Sequence, residues 1–181
     1  MKVLKFCVLL LLISVISSSY ADYNRKQWKH WTDDNKDCEN TRAEVLIRDS
    51  IEDVVLNENC TVTSGYWHDS YSEFSYGVAK SVDVDHVVPL HNAYQSGGWA
   101  WTKDKKAKYA NWMPGLVVSS AWKNRQKGSK DPSQWMPDDG APLSGCDYIQ
   151  RWVEIKREWN MLIKIEVAEL WFQCIQKDET Q

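Results

Sequence analysis

The stretch Val82-Asp83-Val84-Asp85-His86-Val87-Val88-Pro89-Leu90 decides how this chain is read. Val82 and Val84 alternate with polar neighbours, the period of a strand with one buried face. Pro89 has no N–H for a ladder, so regular pairing ends near it. At the strand's end a carboxylate, Asp85, stands beside an imidazole, His86. The first is a hard oxygen ligand for a divalent cation, and the second is the side chain best placed to take a proton near neutral pH. Neighbours on a regular strand face opposite sides, so both can serve one site only where the strand ends or bulges. Further on, Lys123-Asn124-Arg125-Gln126-Lys127-Gly128 supplies an amide oxygen at Asn124 among cations suited to phosphate. Base, carboxylate, amide oxygen and cations together are the parts of metal-assisted phosphodiester hydrolysis.

The intervening sequence joins these two stretches into one unit. Residues 115–118 are apolar and β-branched and read as a second strand. Ser119 or Ser120 then caps a helix that carries Trp122, Asn124 and Lys127 toward a stop at Gly128. The order is strand, strand, helix. Upstream, residues 41–55 predict a helix, with Thr41 as cap, Glu44 three residues on, and Val45, Leu46, Ile51 and Val55 at near-helical spacing. Residues 60–64 and 73–78 look extended around a turn at His68-Asp69-Ser70, and residues 22–37 read as polar surface loop. Downstream of Pro89, residues 91–94 suggest a short helical turn ended by Gly97-Gly98, and 102–111 a charged helix capped by Thr102. Residues 132–142 form a proline-punctuated loop. Residues 147–165 and 166–176 predict two more helices, with Tyr148, Trp152, Ile155 and Trp159 as a buried stripe. The class is α+β: a hairpin-plus-helix core embedded in additional helices and a small antiparallel sheet.

Asp85-His86-Val87-Val88-Pro89-Leu90, then Asn111, then Asn124-Arg125-Gln126-Lys127-Gly128 resembles the HNH endonucleases of the ββα-metal (His-Me finger) superfamily, and within it the secreted branch. Further matches, in the same order, are Cys38-Glu39-Asn40-Thr41-Arg42, Gly65-Tyr66-Trp67 with Tyr71, Asp131-Pro132-Ser133-Gln134-Trp135-Met136-Pro137, and Cys146-Asp147-Tyr148. A lone Asp-His-x-x-Pro is a weak signal; the ordered set is specific. The resemblance implies an endonuclease with a ββα-metal (HNH) core that leaves 5′-phosphate and 3′-hydroxyl ends. His86 is then the general base and Asn111 the middle position that orients the loop and the base. Asp85 and Asn124 hold one divalent cation, Mg²⁺ first, with Mn²⁺ and Zn²⁺ open. Arg42 matches an arginine of the secreted branch and would clamp phosphate, and Arg125 and Lys127 would contact the backbone phosphates. Against these stand plainer readings: a helix C-cap for Asn111, a surface salt bridge for Arg42, solvated helix faces for Arg125 and Lys127. His91 reads as a loop surface residue.

Residues 1–21 read as a secretory signal peptide: Lys2 and Lys5, an apolar run from Val8, then small residues with Ser19 and Ala21 at the cleavage positions. Residues 22–181 are then a single nuclease domain, exported to the periplasm or the medium, with no later stretch apolar enough to span a bilayer. Cys7 departs with the signal, and Cys38, Cys60, Cys146 and Cys174 remain, an even number in an oxidising compartment. Four cysteines allow three pairings. Cys38–Cys60 and Cys146–Cys174 are favoured because each pair flanks one short segment.

The net charge of −3 becomes −5 once Lys2 and Lys5 are removed, which opposes a basic nucleic-acid-binding face. Two local clusters, Lys103-Lys105-Lys106-Lys108 and Lys123-Arg125-Lys127-Lys130, offer a locally basic cleft instead. Of the eleven tryptophans, Trp99, Trp101 and Trp112 flank the expected cleft and are candidates for base stacking. The leading reading is therefore a monomeric, metal-dependent endonuclease acting on nucleic acid, DNA first, with little sequence preference. The alternatives are a catalytically silent nucleic-acid-binding relative and a disulfide-stapled extracellular carbohydrate-binding module. Chelator and loss of His86 would matter only to the enzyme.

Overall fold

The computed structural model describes residues 22–178, so the expected signal peptide lies outside the described residues. In chain order the elements are α1 (Thr41–Asp49), β1 (Val55–Leu56), β2 (Val62–His68), β3 (Ser75–Val78), β4 (Val82–His86), α2 (Leu90–Gln95), α3 (Lys103–Ala110), β5 (Leu116–Ser120), α4 (Ala121–Lys127), α5 (Gly145–Glu158) and α6 (Ile165–Asp178). Among the described residues this is an α+β fold with two small antiparallel sheets, β1-β2-β3 and β4-β5.

β4 and β5 pair residue for residue, from Val82 with Ser120 to His86 with Leu116, without a shift in register. Val87 N–H adds one more bond to the Gly115 carbonyl, and Pro89 then leads into α2. Period-2 alternation sorts the hairpin's side chains between two cores. Val82, Val84, Leu116 and Val118 join Val45, Leu46, Val62 and Trp67 in one. Val117, opposite Asp85, joins Trp28, Val87, Tyr109, Tyr148 and Trp152 in the other. Trp67 ties α1 to the first core by donating its indole N–H to the Leu46 carbonyl at 2.7 Å.

β5 runs directly into α4 with no loop. Ser120 ends the strand and caps the helix, its hydroxyl accepting from Lys123 N–H at 3.2 Å. Gly128 closes α4 at φ +56° and ψ −124°, a conformation that side chains disfavour, while its N–H reaches the Asn124 carbonyl. The strand–strand–helix order expected for 82–128 is the one observed.

Two expected helices are cut short. α1 stops at Asp49, because Ser50 turns extended and Ile51 N–H bonds to the Tyr66 carbonyl of β2. Ile51 and Val55 are more than half exposed, so they do not extend the buried face. The expected helix over 147–165 ends at Glu158, where Asn160 adopts φ +52°. Met161 N–H then returns to the Lys156 carbonyl at 2.8 Å, the closing bond of a left-handed helix stop. Tyr148, Trp152 and Ile155 are buried as predicted, and Trp159 packs against the same core. Both favoured cysteine pairings are present, Cys38–Cys60 and Cys146–Cys174, the second joining α5 to α6. Two disulfides place the folded domain in an oxidising compartment. No described helix is long and apolar enough to cross a membrane.

Candidate active site

At the end of the β4–β5 hairpin a cleft of about 260 Å³ is walled by Asp85, His86, Asn124, Tyr23, Arg25 and His91. Asp85 and His86 leave the strand in succession with no bulge between them, and both reach one cleft because the strand ends at His86.

The His86 ring is 6 % exposed and lies between two parallel aromatic rings, Trp31 at 5.8 Å and Tyr109 at 6.2 Å. Its Nε2 stands 2.8 Å from the Ala110 carbonyl. A carbonyl can only accept, so Nε2 carries the proton and Nδ1 the lone pair. Burial pushes the pKa down from the ordinary 6.5 to about 3; the Ala110 carbonyl opposes that shift, and the charge of Lys127 adds to it. The ring is fixed and neutral.

Asp85 is held from one side. Its Oδ2 accepts from Lys127 Nζ at 2.6 Å and from the Tyr71 hydroxyl at 2.8 Å. Among the described residues no side chain bonds to its Oδ1. Burial and the charge of Asp85 raise the Tyr71 phenol well above its ordinary range, so it remains a donor. Lys127 is fully buried and also donates to the His86 carbonyl at 2.8 Å. The expectation that Lys127 contacts phosphate is therefore corrected: the side chain points inward and positions Asp85 and the strand end. Asn124 donates from Nδ2 to Asp83 Oδ2 at 3.1 Å. A carboxylate cannot donate, so the amide nitrogen must face Asp83, leaving the Asn124 oxygen directed elsewhere.

Two other expected site residues lie away from the cleft. Arg42 donates to the Ala79 and Val82 carbonyls, each at 3.0 Å, and borders a separate cavity with Val62, Thr63 and Val78. It braces the entry to β4. Asn111 ends α3 as its C-cap. It donates to the Lys29 and Ala107 carbonyls and accepts from Thr32 N–H and the Thr41 hydroxyl. It ties residues 29–32 to α1 and α3. None of these bonds reaches His86; the neighbouring Ala110 supplies the carbonyl that meets the ring. Arg125 is exposed on α4, one position past Asn124.

Of the two basic clusters, Lys106, Lys123 and Lys127 turn inward, while Lys103, Lys108, Arg125 and Lys130 are exposed. Lys106 is buried and donates to Gln27, Lys105 lies 4.6 Å over the Trp101 ring, and Lys123 is paired with Asp138. The cation in the cleft wall is Arg25, from the stretch 22–37 that carries no periodic signal. His91 also lines the cleft, its ring stacked on Tyr23 at 4.6 Å. Trp101 and Trp112 pack against Trp159 in the core.

The cleft oxygens that could hold a divalent cation are one Asp85 oxygen and the Asn124 amide oxygen. Among the described residues no three His, Cys, Asp or Glu side chains cluster to hold a metal. Two hard oxygens suit a cation that keeps several waters and a phosphate oxygen, as Mg²⁺ does, and do not suit a closed structural zinc site.

The family described as "GmrSD restriction endonucleases, C-terminal domain" matches residues 31–165. The chain belongs to that family. A relative from Arthroderma benhamiae, described as an "Uncharacterized secreted protein", is 34% identical over 145 residues, covering 78% of this chain and 68% of its own length. No solved structure matches. Membership makes this a nuclease-related domain, with nucleic acid as the implied substrate, and agrees with the HNH resemblance of the 82–128 unit.

Two outcomes follow. Lys127→Met leaves the Asp85 carboxylate buried without its cation and should destabilise the fold by about 3–5 kcal/mol in urea unfolding, whereas a loss under about 1 kcal/mol would deny the pair this role. In a ring-proton NMR titration, the His86 signal, assigned by its loss in His86→Asn, should show no inflection between about pH 5 and 8.

Proposed function

We propose that this chain is an exported, divalent-metal-dependent endonuclease that hydrolyses phosphodiester bonds of nucleic acid, DNA in the first instance, with little sequence preference. The observation that carries the reading is His86, locked by the Ala110 carbonyl as a neutral base in the same cleft as Asp85 and Asn124. Nδ1 of His86 takes a proton from the water that attacks phosphorus as the bond to the 3′-oxygen breaks; the departing oxygen takes a proton from solvent, leaving 5′-phosphate and 3′-hydroxyl ends. Asp85 and Asn124 would hold Mg²⁺, with Mn²⁺ or Zn²⁺ as substitutes. Such a cation, when bound, offsets charge on the phosphorane-like transition state and the leaving oxygen. Lys127 and Tyr71 keep Asp85 in place and occupy its second oxygen. Arg25 and Arg125 bind the flanking phosphates, Arg25 from within the cleft wall.

Residues 1–21 serve as the export signal, and residues 22–181 act as a single monomeric domain in the periplasm or outside the cell. The secreted relative and the two disulfides support this placement.

The test is nicking of supercoiled plasmid by the oxidised chain with Mg²⁺. Chelator should abolish it, and His86→Ala should lower the rate by at least about 100-fold. Intact plasmid and intact RNA with Mg²⁺, Mn²⁺ and Zn²⁺ would rule the enzyme out and leave a binding module.

A further inference from the structure

A second cavity, of about 440 Å³, lies against the first and shares its wall: Tyr23 and His91 line both. Past them it is bounded by Tyr94, Trp99 and Leu162. Trp99 is 48 % exposed and Leu162 74 %, so apolar and aromatic surface faces solvent here. Among the described residues of the lining Asp22 is the one carboxylate, and no lysine or arginine joins it. The Tyr94 ring packs edge-on against Tyr23 at 5.6 Å, yet its hydroxyl is buried with no hydrogen-bond partner among the described residues. A buried hydroxyl left unpaired is costly, and such a group beside a cavity is a standing offer to a ligand.

We infer that this cavity is a nucleobase subsite for the strand whose phosphate lies at His86. The inference rests on the nuclease reading and adds to it where the neighbouring nucleotide goes. An aromatic wall that offers phosphate no lysine or arginine among its described residues suits the face of a base. The base stacks on Trp99, and the Tyr94 hydroxyl bonds to its edge. Every base has such a face and a polar edge, so the subsite holds a strand without reading its sequence. The Tyr23–His91 stack is the divider across which the backbone passes from Arg25 and His86 into the subsite.

The experiment measures binding of a fluorescein-labelled single-stranded DNA dodecamer, with Mg²⁺, to the full oxidised chain carrying His86→Ala. An abasic dodecamer of the same length serves as the second probe. Trp99→Ala should weaken dodecamer binding about ten-fold, and Trp99→Phe should retain most of it. Tyr94→Phe should weaken binding about three-fold without lowering the melting temperature, since it deletes a hydroxyl that has no partner in the fold. Neither change should alter binding of the abasic probe. Phe74→Ala, an exposed aromatic outside both cavities, should leave both probes unaffected. Dodecamer affinity unchanged in Trp99→Ala and Tyr94→Phe would overturn the subsite alone. No affinity for either probe in the parent, with wild type leaving plasmid intact, would overturn the nuclease reading and the subsite with it.

Discussion

Everything in the cleft depends on the buried contact between Lys127 and Asp85. Lys127 sits in the last turn of α4, fully enclosed, with one bond to the Asp85 carboxylate and another to the backbone carbonyl of His86. One ammonium thus fixes the helix against the end of the strand that bears Asp85 and His86. A buried charge pair stands only if the remaining lone pairs and protons find partners, and the Tyr71 hydroxyl supplies the third contact. The consequence is chemical. With Oδ2 taken by two donors, Asp85 has a single oxygen left to offer, and its direction is set by the packing of α4 on β4.

His86 is prepared by the opposite means. Its environment excludes the charged form, through burial between Trp31 and Tyr109, and the Ala110 carbonyl selects the tautomer. Asn124 is oriented in the same manner by Asp83, whose carboxylate accepts only an N–H. Each of the three groups at the cleft therefore has one polar atom engaged by the fold and one left over. The supporting layer of Lys127, Tyr71, Ala110 and Asp83 is what separates this arrangement from a chance meeting of an acid, a base and an amide.

The parts legible in the sequence were those governed by local rules. Valine alternation before Pro89, the apolar run at 115–118 ending in Val117-Val118, the serine cap and the Gly128 stop define the strand–strand–helix unit without reference to the rest of the chain. The stop at Asn160 had a signal too, asparagine being the residue other than glycine that most readily ends a helix, but the aromatic stripe through Trp159 overrode it. Lys127 was misread because a lysine in a polar helix is normally solvated. Lys123, four residues earlier on the same helix face, is buried too. Arg42 was misplaced since nothing local reveals that its guanidinium meets two backbone carbonyls 37 and 40 residues away. Arg25 and Tyr23 were invisible for the converse reason: the loop that brings them to the cleft has no period, and its course is fixed by tertiary contacts such as Asn111 to Lys29 and Thr32.

The central claim is that Asp85 and Asn124 offer two oxygens to one cation beside a neutral His86. The most direct measurement is anomalous diffraction from crystals of the chain soaked in Mn²⁺. A single peak within about 2–2.5 Å of Asp85 Oδ1 and the Asn124 amide oxygen is the predicted result. No peak at the cleft under conditions where the wild type cuts plasmid, or a peak coordinated by the His86 ring, would contradict the account.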